Sequence, residues 1–99
     1  MGWKIYDEPV EMMQRRFKHF PRVFRWRGQR FQVEAVERHW TVVRRSRKRR
    51  IERHFWQLQC AEGDFELFQD IRTSTWHLRR ARLAPARISA TSRMVPAWR

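Results

Sequence analysis

The 99 residues include one cysteine, Cys60, three glycines and a single tyrosine. A lone cysteine excludes a disulfide within the chain and a cysteine-based zinc site. Uninterrupted apolar runs never exceed three residues, so no segment reads as a membrane span. The opening MGWKIYDEPVEMM has acids where a secretory leader carries basic residues, and no apolar run of leader length. These absences point to a cytoplasmic protein without contact to membranes. Acidic residues are scarce too, 10 against 23 basic, for a net charge of +13. Of the 23, only three are lysines and 20 are arginines. Aromatic residues are abundant, with six Trp and seven Phe, which excludes wholesale disorder and lets one short domain build a core.

Alternation dominates the middle of the chain. Val23-Phe24-Arg25-Trp26-Arg27 and Phe31-Gln32-Val33-Glu34-Ala35 flank Gly28-Gln29, which reads as a β-hairpin. The apolar phase then slips by one, so that Val36, Arg38, Trp40 and Val42 share a face. Such a slip calls for a bulge or sharp bend, or a short helical turn over residues 34–39. Three more strands follow, over residues 55–60, 65–69 and 75–79, separated by turns at 62–64 and 70–74. The expectation is a mostly β single domain: a small curved sheet or partly closed, SH3- or OB-like barrel of five or six antiparallel strands. Residues 1–20 form an irregular segment packing on the β-domain of residues 21–83, with 10–20 open between helix and strand. Residues 84–99 form a flexible tail. The expected core comprises Phe24, Trp26, Phe31, Val33, Trp40, Trp56, Leu58, Leu67, Trp76 and Leu78.

Three blocks carry a resemblance over Tyr6 to about Leu83: Asp7-Glu8-Pro9-Val10, then Phe24-Arg25-Trp26-Arg27-Gly28 with Phe31-Gln32-Val33 and Trp40, then Phe65-Glu66-Leu67-Phe68-Gln69-Asp70 with Trp76-His77-Leu78. The chain resembles a family of small uncharacterised bacterial β-rich domains. They stand alone or are appended to catalytically dead Y-family polymerase-like proteins of DNA-damage mutagenesis. The resemblance implies a β fold and a link to DNA repair or replication. It implies no chemistry for any residue, and the basic run of residues 44–50 lies outside its pattern.

That run, Arg44, Arg45, Ser46, Arg47, Lys48, Arg49 and Arg50, has six cations in seven positions and reads as an exposed hairpin tip. Forked guanidinium donors match phosphate oxygens, and dense positive charge gains from counterion release on a polyanion. Arg79 and Arg80, with Arg82 and Arg87, form a second basic group. Arg25 and Arg27, with Arg22 and Arg30, form a third on the outside of the first hairpin. The expectation is that these groups together make one continuous positive face. Off-phase Phe55 and Phe68, with Trp3 and Trp98, are the aromatic candidates for stacking on bases. Glu62, Asp64, Glu66 and Asp70 read as a solvated acidic patch. His19, His39, His54 and His77 lack metal-ligand spacing, and neither a phosphate-binding glycine loop nor a nucleophile motif is present. The expectation is therefore a non-enzymatic protein without cofactor that binds DNA or RNA mainly through phosphates. The alternative is an interaction module that docks on a replication or repair protein.

Overall fold

The alternating segments become strands. The computed structural model describes residues 2–17 and 20–84, and six antiparallel strands account for most of them: β1 (Lys4–Arg16), β2 (Phe20–Trp26), β3 (Gln29–Arg45), β4 (Arg50–Cys60), β5 (Gly63–Asp70) and β6 (Thr75–Leu83). Each pairs with the next in chain order, and β1 also pairs with β6. The single sheet thus rings round without forming a regular barrel. No helix occurs among the described residues, so none there is long and apolar enough to cross a membrane.

The N-terminal segment is not irregular but supplies the closing strand. Residues 4–10 of β1 run along β6, from Lys4 opposite Ala81 to Val10 opposite Trp76. From Glu11 onward β1 runs along β2 instead. Bulges accompany the exchange, one of them at Asp7, whose φ is +52°. Such breaks hide the strand period from a reading of the sequence. Of the two readings open for residues 10–20, the structure takes the strand, through Arg16 and again from Phe20. The tail from residue 85, with Arg87 and Trp98, and His19 lie outside the described residues.

The β2–β3 turn is a two-residue one at Arg27-Gly28, one position earlier than expected. Trp26 faces Gln29, and both turn residues have positive φ, +53° and +77°. That geometry matches the right-handed strand twist, and asparagine or glycine usually provides it. Here an arginine adopts it. The slip in β3 consists of two bulges, between Val33 and Ala35 and between Val36 and Arg38.

The core holds Phe24, Trp26, Phe31, Trp56, Leu58, Cys60, Phe65, Leu67, Trp76, Leu78 and Ala81, with Val33, Tyr6, Val10 and Met12 packed against it. Phe24 stacks on Phe31 at 5.2 Å and meets Phe65 edge-on at 5.5 Å. Trp40 is the correction to the expected core. After the bulges its phase points away from the interior, and the exposed ring of the neighbouring His39 stacks on Trp56 at 3.9 Å. Trp40 instead lies parallel to Phe55 at 5.3 Å on the opposite face. A ring ladder continues there across the strands, Phe55 to Phe68 at 5.3 Å and Phe68 to His77 at 4.8 Å. The sheet therefore carries a second aromatic layer behind its core.

Candidate nucleic-acid interface

Strand direction determines where charge collects. In an up-and-down ring, alternate turns lie at opposite ends. The turns after β1, β3 and β5 lie toward one end, which receives Arg15, residues 44–50 and Arg72. The turn after β2, at Arg27-Gly28, and the turn after β4, beside Glu62 and Asp64, lie at the other. β3 and β4 are the longest neighbours, and their hairpin outruns the rest. The last β4–β5 pair is Arg53 with Asp70, whereas β3 and β4 go on pairing to Arg45 with Arg50.

Residues 44–50 are all exposed at this hairpin's end. Arg44 and Arg45 finish β3, Arg50 begins β4, and the turn between them is tied by Ser46, whose N–H and hydroxyl donate to the Arg49 carbonyl at 2.9 and 3.2 Å. Arg50 pairs with Glu52 at 3.0 Å. Glu52 is held below the usual carboxylate range, first by its hydrogen bond with His54 and further by the Arg50 charge. Arg44, Arg45, Arg47, Lys48 and Arg49 make no ion pair with any described residue.

The other predicted cations differ in this respect. Arg27 donates to both carboxylate oxygens of Glu8 and lies over the rings of Trp26 and Tyr6. It is a structural residue at the far end of the ring, not part of the tip's surface. Arg25 sits 3.7 Å from Glu11. Arg79 and Arg80 share Glu66, each at 3.0 Å, and Arg82 holds Asp64. Glu66 is thus no solvated acid: it is 1% exposed and neutralises two predicted site residues.

The structure nevertheless brings three of those residues together. An open groove of about 600 Å³ on the outer face is lined by Arg44, Arg79 and Arg80, with Arg53, Trp40 and Phe55 among its other walls. Arg22 and Arg30 line a separate groove with Arg16, opposed there by Glu34 and Glu62. Arg25 and Arg27 line neither groove.

The aromatic candidates need correction. Phe55 and Phe68 are 9% and 8% exposed, because the ring ladder and the guanidinium of Arg53, 4.9 Å over Phe68, cover them. Trp3 is half-buried under Arg80 and Arg82. The exposed aromatic among arginines is Phe17, 76% exposed at the end of β1 with Arg16 beside its ring. The run Arg15-Arg16-Phe17 was its signal in the sequence, obscured by the helical reading. No cluster of His, Cys, Asp or Glu that could hold a metal ion occurs among the described residues. Burial and neighbouring acids push the Cys60 thiol up to about 12, so it stays protonated.

Residues 1–85 match the model of a family described as a domain of unknown function, DUF6504. No curated protein and no solved structure matches the chain.

Proposed function

The chain belongs to the DUF6504 family, whose description carries no activity, and we propose from its own chemistry that it is a non-enzymatic nucleic-acid-binding protein gripping the phosphate backbone with residues 44–50. The observation that carries this reading is the contrast in pairing. Arg25, Arg27, Arg79, Arg80 and Arg82 are committed to carboxylates, while Arg44, Arg45, Arg47, Lys48 and Arg49, crowded at the protruding tip, have none among the described residues. Holding unpaired like charges on a two-stranded arm is unfavourable unless a polyanion meets them. Phosphates spaced along a strand suit that need, and released counterions add to the affinity. The resemblance to segments of Y-family polymerase-like proteins supports a setting in bacterial DNA repair or replication, in the cytoplasm.

The test is a set of binding isotherms on single-stranded DNA, duplex DNA and RNA at several salt concentrations. Three or four phosphate contacts from the tip correspond to a slope of about −2 to −4 in log affinity against log salt. Replacing Arg45, Arg47, Lys48 and Arg49 by Ser flattens that slope by about 2–3 and weakens every sequence alike. Folding, followed by circular dichroism, stays nearly unchanged, because exposed charges stabilise little. An unchanged slope in the quadruple variant removes the tip from the mechanism. Failure of the wild type to bind any nucleic acid at low salt favours the interaction-module reading, for which the exposed Phe17 is the natural docking residue.

A further inference from the structure

We infer that the outer-face groove beneath the tip is a base-stacking site for a single strand, with Trp40 as the platform. This inference rests on the nucleic-acid reading and adds to it a preference that phosphate contacts alone do not provide.

Position and charge lead to it. Trp40 stands four residues below Arg44 on the same face of β3, roughly 13 Å along the strand at 3.3 Å per residue. A backbone gripped at the tip therefore passes the groove directly. The groove is mainly basic: Arg44, Arg53, Arg79 and Arg80 line it against Asp7 and Glu66. Glu66 offers little repulsion, since both its oxygens already accept from Arg79 and Arg80. Neither Arg44 nor Arg53 has an ion-pair partner among the described residues.

The floor is aromatic and half-open. One neighbour of Trp40, Phe55, lies parallel at 5.3 Å with an interplanar angle of 8°, which fixes the indole plane. The guanidinium of Arg38 sits 4.7 Å from the indole centroid. Arg38 is exposed and makes no ion pair with a described residue, so its contact with the ring is open to exchange. A nucleobase stacked on Trp40 takes that place, and the displaced guanidinium meets its phosphate or stacks above it. Duplex bases are already stacked on one another and offer only their edges, so the site distinguishes single strands from duplex. Phe55 and Phe68, almost completely covered, serve as support for Trp40 rather than as platforms.

The experiment compares the wild type, Trp40→Leu and Trp40→Phe on three probes at one salt concentration: a single-stranded oligonucleotide, the same length with abasic sites throughout, and the duplex. The expected result is a loss of roughly 5- to 150-fold for Trp40→Leu on the single strand, largely restored by Trp40→Phe. The abasic strand and the duplex bind both variants as they bind the wild type. Equal losses on all three probes, or no loss on the single strand, overturn the stacking site while leaving the phosphate-binding role intact. A wild type that binds none of the probes overturns both. Because Trp40 lies outside the core cluster, the variants keep the fold, and thermal melts of each verify it.

Discussion

Glu8 accepts three hydrogen bonds on two oxygens, from the indole N–H of Trp26 at 2.8 Å and from two nitrogens of Arg27. It joins β1 to the β2–β3 turn and holds Arg27 in a backbone conformation that side chains seldom adopt. The Arg27 hydrogen bond, helped by Trp26, lowers the Glu8 carboxyl from 4.5 to about 2. A depressed carboxyl stabilises the fold fully above its unfolded value and loses that contribution as the pH falls toward its folded one. Glu8→Gln therefore lowers the urea midpoint at pH 7, and the gap to the wild type narrows between pH 4.5 and pH 2. A gap of constant size across that window refutes the role. Residue types suggested none of this: Glu8 is one acid in Asp7-Glu8-Pro9, and its partners lie 18 and 19 positions away. Glu66 was misread for the same reason, since the arginines that bury its charge come from the next strand.

At the scale of elements, turns and alternating runs were legible because they are local. The hairpin at residues 23–35 and strands β4, β5 and β6 follow from period-two patterns and from the residues between them. β1 and the far half of β3 were not, because each changes face or partner at bulges, and a bulge has no fixed residue signature. The basic tip was visible as a charge run, but which cations stay unpaired was not, since that depends on what the neighbouring strand offers. Gly63 shows how tightly one junction is fixed. It opens β5 with φ +145°, and a Cβ there would press into the Arg82 carbonyl oxygen and lie 2.8 Å from the Ala84 nitrogen. Both are backbone atoms of the closing strand region and have little room to yield. Gly63→Ala is expected to cost about 3 kcal/mol or more in a denaturant titration. A loss under ~1 kcal/mol means that the β5–β6 backbone yields readily there.

For the whole molecule, +13 over 99 residues is a large self-repulsion, and the ring's topology concentrates much of it at one end. Salt shortens the reach of that repulsion, with a screening length of about 30 Å at 0.01 M and about 10 Å at 0.1 M. The melting temperature is expected to rise over that range, in contrast to a fold held together by surface ion pairs. A fall on adding salt would show that pairs such as Arg82 with Asp64 outweigh the repulsion. The same charge has a second consequence along β3. Only residues 29–32 of β3 pair with β2, and residues 41–45 have β4 alone as a strand partner, so one backbone edge there is open. Open edges invite another strand, and natural proteins guard them with charge. Arg44 and Arg45 stand exposed at this edge, so the charge that strains the molecule from within also discourages the β3 of one copy from pairing with the β3 of another.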